Sequence, residues 1–357
     1  MARKKRSKKS GKFRKVLIAF AGLIVILGGI SFYDYYKKIF GVNVKTLTNT
    51  PEFVYIPTGS SLGDVVRILD QNNLLINSAS FEWLAVKMNY DENVKPGKYQ
   101  VKPGMNNKEL VALLRSGKQT PVKLIFNNIR TRDDFAEKIA SQIEAGEDEL
   151  LRLLQNKQFV DSLGDGFTTE NVMALFLPNT YEFYWNTSAR QFIERMKKEY
   201  DRFWDEQKLA KAKKIGFTPP EVTVMASIVE QETKKKDEMP RVAGVYMNRY
   251  LKGWKLEADP TLVFANNDFS IRRVLNVHKQ IDSPYNTYKY TGLPPGPISI
   301  PSLTAINSVL NYEKHDYMFF CARPDFSGYH SFAETYSQHM INARKFQKEL
   351  NRRNIKS

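Results

Sequence analysis

The feature that most constrains this chain lies near its amino terminus. Val16 to Tyr33, VLIAFAGLIVILGGISFY, is eighteen residues without a charge. An α-helix rises about 1.5 Å per residue, so such a run just crosses a hydrocarbon layer of about 30 Å. Nine cations precede it (Arg3, Lys4, Lys5, Arg6, Lys8, Lys9, Lys12, Arg14 and Lys15), before any acid. Asp34 follows, and Tyr33, Tyr35 and Tyr36 stand where aromatic rings settle at a membrane interface. Positive flanks stay in the cytoplasm. The pattern therefore predicts a basic cytoplasmic tail (1–15), one transmembrane helix (16–33), and a folded region on the envelope side of the cell (inner or plasma) membrane. The run exceeds the apolar core of a secretory signal, and no small-x-small cleavage site follows it.

The net charge of +16 has to be read against that tail. Without its nine cations the remainder carries +7, which is only mildly basic. A nucleic-acid partner is excluded on this reading, because the cationic tail and the folded domain lie on opposite sides of the membrane. Cys321 is the only cysteine, so no intramolecular disulfide forms. Its setting, Tyr317-Met318-Phe319-Phe320-Cys321-Ala322, reads as a buried strand with an inert thiol. The four histidines (His278, His315, His330, His339) are scattered, with no HExxH or CxxC spacing, so neither a metal nor a cofactor is expected.

Residues 34–50 read as a polar linker. Phe53-Val54-Tyr55-Ile56 then alternates as a strand and closes on Pro57-Thr58-Gly59-Ser60. Leu62, Val65, Val66 and Leu69 fall at i, i+3, i+4 and i+7, one face of a helix. A second strand at Tyr99-Gln100-Val101 precedes a helix with Leu110, Val111 and Leu114, ended by Ser116-Gly117. Residues 51–118 thus form a small α+β lobe. The rest, 119–350, reads as a larger mixed α+β domain, from the strand Val122–Phe126 to a charged helix beginning at Tyr336.

The most informative helix starts at Thr218-Pro219-Pro220-Glu221, where Thr218 caps, proline suits the first turn and Glu221 completes a capping box. Val222, Val224, Met225, Ala226, Ile228 and Val229 then cover nearly the whole circumference, which predicts a buried helix. It runs into Glu230-Gln231-Glu232-Thr233. Glu230 lies over Ala226 and Val222, and desolvation there would raise its carboxyl pKa, as a general acid of glycosidic cleavage requires. A plain solvated helix end, continuing into Lys234-Lys235-Lys236, is the alternative. Periodicity does not choose between Glu230 and Glu232, which point about 200° apart.

Ala226-Ser227-Ile228-Val229-Glu230-Gln231-Glu232-Thr233 resembles the signature of the endolytic murein transglycosylase family, membrane-anchored enzymes that cut bacterial peptidoglycan. The resemblance continues through Val245-Tyr246-Met247-Asn248-Arg249, Leu256–Thr261, Ser283–Tyr288, Thr291–Ile298 and His330-Ser331-Phe332, over roughly residues 50–350. It implies a LysM-like lobe at 51–118 and a catalytic domain at 119–350. It also implies glycan strands as substrate, peptidoglycan synthases as partners, and Glu230, the first glutamate of the motif, as the catalytic acid. Protonation of the oxygen between N-acetylmuramic acid and N-acetylglucosamine, followed by attack of the muramyl 6-hydroxyl, would leave a 1,6-anhydro end without water. A hydrolase would instead want a second carboxylate, and Asp259 is the candidate. Tyr285, Asn286 and Tyr288, beside a Pro/Gly-rich turn, are expected to stack on sugars and hydrogen-bond acetamido groups, with His330 near them. Three positions depart from the family pattern, Met173, Asn179 and Ala258. A non-catalytic glycan-binding scaffold and a hydrolysing glycosidase stand as alternatives.

Overall fold

A computed structural model describes residues 9–164 and 166–353; residues 1–8 of the basic tail lie outside the described residues. The chain divides into two units. One reaches to Val122 and takes in Tyr184–Asn186; the other comprises Lys123–Phe183 and the chain from Thr187 onward.

In the first unit, helix α1 (Lys9–Phe40) contains Phe13–Phe40, a stretch long and apolar enough to cross a membrane. It runs past Tyr33 into the stretch expected to be a linker. Its far end is bound into the lobe: Tyr35 meets Trp83 edge-on at 5.4 Å, and the Lys38 carbonyl accepts from Asn107 Nδ2 at 2.9 Å. Val42 and Val44 then bridge to Asn106 and Leu75. Strand β1 (Glu52–Ile56) pairs antiparallel with β2 (Gly97–Val101), with α2 (Leu62–Gln71) and α3 (Ser78–Lys87) between them and α4 (Asn107–Ser116) after. The stripe read from sequence faces inward: Leu62, Val65 and Leu69 are buried against Val54, Ile56, Tyr99, Leu110 and Leu114. Helix α3 has no such stripe in the sequence, and Asn77 caps it at Ser80 N.

Buried amides cross-link this unit. Asn43 Nδ2 donates to Asn107 Oδ1 at 2.6 Å and to the Asn77 carbonyl at 3.0 Å, while Asn107 Nδ2 also reaches Ser80 Oγ at 2.9 Å. Buried polar groups cost little only while every partner is present, so these bonds fix the register between the end of α1 and the lobe.

The second unit is mostly helical. Strand β3 (Val122–Ile125) pairs with β4 (Thr180–Phe183), and α5 (Arg132–Ala140), α6 (Glu147–Gln155) and α7 (Lys157–Asp161) lie between them in sequence. Then follow α8 (Ala189–Phe203), α9 (Glu206–Lys214), α10 (Pro219–Glu232), α11 (Met239–Leu251), α12 (Asp259–Ala265) and α13 (Leu303–Leu310). A final hairpin, β5 (Phe319–Ala322) with β6 (His330–Ala333), leads to α14 (Tyr336–Arg352). Helix α10 has the predicted capping box, and every residue from Val222 to Val229 is buried. It packs against α11, α12 and α13, so the helix without a polar face forms the axis of this unit. Cys321 lies on β5 but is only half-buried, because a two-stranded ribbon leaves one face uncovered.

Asn107→Ala should lower the stability of the first unit by about 1–3 kcal/mol, since it leaves buried partners at Asn43, Ser80 and Lys38 unpaired. Thermal unfolding checks the size, and faster amide exchange confined to residues 38–45 and 77–80 checks the cause.

Candidate active site

Helix α10 ends at Glu232, so its last turn delivers two carboxylates in different directions. Glu230 Oε2 accepts the backbone N–H of Ser302 at 3.0 Å, the N-cap residue of α13. That bond ties two packed helices together. Glu232 points elsewhere. Tyr246 Oη, from α11, donates to Glu232 Oε1 at 2.7 Å. The surroundings of Glu232 withhold water, and Asp259 adds negative charge nearby. Together these outweigh the Tyr246 hydrogen bond and the attraction of Arg249, and the carboxyl is pushed up to about 7.

Two cavities open from this point. One, of roughly 380 Å³, is lined by Glu232, Asp259, Gln231, Val263, Phe264 and Phe269, with Arg130, Arg272 and Arg273 also on its wall. The other, of roughly 270 Å³, is lined by Glu232, Asp259, Tyr246, Arg249, Glu257, Tyr288, Phe320 and His330. Glu232 and Asp259 are common to both. Glu230 lines neither. A chain substrate lying through both cavities would pass over the two shared carboxyls.

Each group at the junction is held from behind. Asp259 opens α12, and Tyr288 Oη donates to its Oδ1 at 2.6 Å. Burial and the Asp259 hydrogen bond keep the Tyr288 phenol protonated, as burial and Glu232 keep Tyr246. Arg249 is buried, its guanidinium donating to the Met318 and Leu256 carbonyls at 2.8 and 2.6 Å and to Glu257 at 3.3 Å. Glu257 itself has φ +50, a left-handed conformation uncommon for a side-chain-bearing residue, on the wall of the smaller cavity. Glu238, buried, receives His330 Nδ1 at 2.7 Å and the His330 backbone N–H at 2.7 Å, and its Oε2 also accepts from Thr233 Oγ1. This carboxylate fixes the His330 ring and clamps the end of α10 in the same stroke.

The sequence-predicted residues therefore separate into two groups. Asp259, Tyr288 and His330 meet at the cavities. Asn286 does not: it is fully buried, its Nδ2 donating to the Lys279 and Ile281 carbonyls and its Oδ1 accepting from the N–H groups of Tyr288 and Lys289. All its hydrogen-bonding capacity goes into shaping the loop that presents Tyr288. Tyr285 packs on Phe264 at 4.7 Å and so supports the wall of the larger cavity from outside. Gly296 presses against the Glu170 carbonyl and the Tyr285 hydroxyl, leaving no room for a Cβ. Of the departures from the family pattern, Met173 and Ala258 are buried in the core and Asn179 caps its own turn at Thr180 N; none lines either cavity. Sequence reading gave no role to Tyr246 or Arg249, although their i, i+3 spacing on one helix was a usable signal. It gave none to Glu238, Arg130, Arg272 or Arg273.

Comparison with known proteins bears on this geometry. The model of the YceG-like family matches residues 54–345. An endolytic murein transglycosylase of Bacillus subtilis (strain 168) is 28% identical over 329 residues, covering 88% of this chain and 89% of the relative. One from Streptococcus pneumoniae D39 is 25% identical over 86% of this chain, which spans 60% of that longer protein. A crystal structure of a YceG-like protein from Listeria monocytogenes superposes with a TM-score of 0.55 at 30% identity, covering 82% of this chain and 98% of that one.

The two neighbours of Glu232 pull its proton in opposite directions, which gives a signed test. Asp259→Asn removes a like charge and should lower the Glu232 pKa below about 7, whereas Tyr246→Phe removes a donor to the carboxylate and should raise it. Carboxyl titration by NMR with labelled glutamate, using Glu232→Gln to assign the signal, reads both shifts.

Proposed function

The chain belongs to the YceG-like family, and from that premise we propose that it is an endolytic murein transglycosylase whose general acid is Glu232. The observation that carries this reading is a carboxyl raised to about 7 where two cavities meet. Near neutral pH such a group is present in both forms, so it can give a proton and take one back. The protonated Glu232 donates to the glycosidic oxygen between N-acetylmuramic acid and N-acetylglucosamine as the C1–O bond breaks. The resulting carboxylate then accepts the proton of the muramyl 6-hydroxyl, whose oxygen closes on C1. The product is a 1,6-anhydro end, and the acid is regenerated without water. Asp259, which accepts from Tyr288 Oη, supplies negative charge for the cationic sugar centre. Glu230 has a structural part, holding the first turn of α13 through Ser302.

Asp259 also favours a second reading. A second carboxylate beside the acid is what a hydrolysing glycosidase uses to activate water or form a glycosyl intermediate. The two reactions differ in product, anhydro-muramyl against reducing ends.

The membrane topology belongs to the same proposal. Helix α1 anchors the protein, the basic tail stays in the cytoplasm and the second unit works on the envelope side, close to where peptidoglycan synthases release new strands. The β-α-α-β order of the first unit fits a LysM-like glycan-binding lobe.

Glu232→Gln should lower the rate of strand cleavage by about 10²–10⁴-fold and abolish anhydro ends, while Glu230→Gln, which can still accept from Ser302, should keep most of the activity. Mass spectrometry of digested peptidoglycan makes the measurement. Loss of activity in Glu230→Gln with retention in Glu232→Gln would reverse the assignment, and reducing ends from the wild type would favour hydrolysis. The wild-type rate should fall as pH rises above about 7, because the acid is then deprotonated.

A further inference from the structure

The two cavities that share Glu232 and Asp259 differ sharply in charge. The smaller holds Arg249, but that guanidinium is committed to two carbonyls and to Glu257. The larger is lined by Arg130, Arg272 and Arg273, and the only acids among its described lining residues are the two shared carboxyls. No carboxylate among the described residues is ion-paired to Arg130 or Arg272. Arginine is the side chain suited to carboxylate and phosphate, through paired N–H donors in a rigid fork.

These cations are set on braced backbone. Arg130 stacks over the Phe269 ring at 4.7 Å. Its loop is tied to the end of α10, where Gln231 Nε2 donates to Asn128 Oδ1 at 3.0 Å and to Ser299 Oγ at 3.1 Å, and the Ile300 N–H reaches the Ile129 carbonyl at 2.8 Å. The loop bearing Arg272 turns on Asp268, whose Oδ1 accepts from the Ser270 N–H and hydroxyl at 3.0 and 2.6 Å. The acid nearest in sequence to Arg272 is thus occupied by Ser270.

We infer that the larger cavity receives the muramoyl side of the cut bond, and that Arg130 and Arg272 bind carboxylates of the peptide borne by that sugar. The inference rests on the proposed function. A neutral glycan gives such a cluster nothing to pair with, whereas a peptide stem places carboxylates beside every muramoyl residue. A phosphate would also suit arginine, but the lipid-linked pyrophosphate occurs only at one end of a strand and the cavity sits at an internal cut. The chain is then selective for peptide-bearing over denuded strands, and the charge asymmetry sets the direction in which a strand lies across Glu232.

The full-length chain in detergent is assayed on three substrates: peptide-bearing strands, the same strands stripped by an amidase, and peptide-bearing strands with the lipid pyrophosphate removed. The wild type should prefer the first over the second, and the ratio of kcat/KM between them should fall roughly ten- to a hundredfold in Arg130→Gln/Arg272→Gln. Arg272→Lys, which keeps the charge but not the fork, should fall between, and the preference should shrink as salt is raised. Equal cleavage of the first two substrates by the wild type, or an unchanged ratio in the double variant, overturns the inference while leaving the transglycosylase reading intact. A preference lost on removing the pyrophosphate assigns the cations to phosphate and also overturns it. No cleavage of any substrate sinks the proposed function itself.

Discussion

Helix α10 offers water no polar face, and the second unit is built around that fact. Every residue from Val222 to Val229 must be covered, so α11, α12 and α13 close on it. A helix buried so completely cannot end in open solvent on all sides. Its last turn, Glu230 to Glu232, comes out half-buried, and Glu232 there is held in surroundings that resist charge. Desolvation around Glu232 raises its carboxyl, with Asp259 adding to the effect.

The neighbours then decide which of two glutamates inherits this position. Glu230 and Glu232 are the same residue type, one and three positions past the apolar run, and helical geometry only says that they diverge. What separates them comes from far along the chain. Ser302, 72 residues away, offers a backbone donor to Glu230, and Tyr246, 14 residues away, a phenol to Glu232. A backbone N–H at a helix start is a structural partner, satisfied once and for all. A phenol on the wall of a cavity leaves the carboxyl open to something else. The family resemblance implies the first glutamate; the proposal for the second rests on its place at the junction of the two cavities.

Much of the fold was legible because it rests on local patterns. The apolar span, the stripe on α2, the capping box of α10 and the strand at Phe53–Ile56 each declare themselves within a dozen residues. Polar residues at 34–50 say nothing about Asn107, whose amide binds Lys38 from across the lobe, and helix α1 runs on to Phe40, beyond its charge-free stretch. Asn286 has the same history. An amide beside aromatics and prolines suits a sugar, but here its hydrogen bonds are spent on four backbone groups of its own loop. Saturation of that kind is a three-dimensional property. The arginines of the larger cavity are hidden for the opposite reason: in a basic chain, no local pattern distinguishes three cations that line one cavity from those scattered over the surface.

Charge placement also links the site to the ends of the helices around it. Asp259 opens α12, where a carboxylate is favoured by the unsatisfied N–H groups of the first turn, and Tyr288 adds a further donor. Glu238 holds the His330 ring from a buried position, and through Thr233 it touches the C-cap of α10. Glu232, Asp259 and His330 are thus each held by a neighbouring element rather than by one another. A sugar ring entering between them would meet groups already in place, and binding would not have to supply the energy to arrange them.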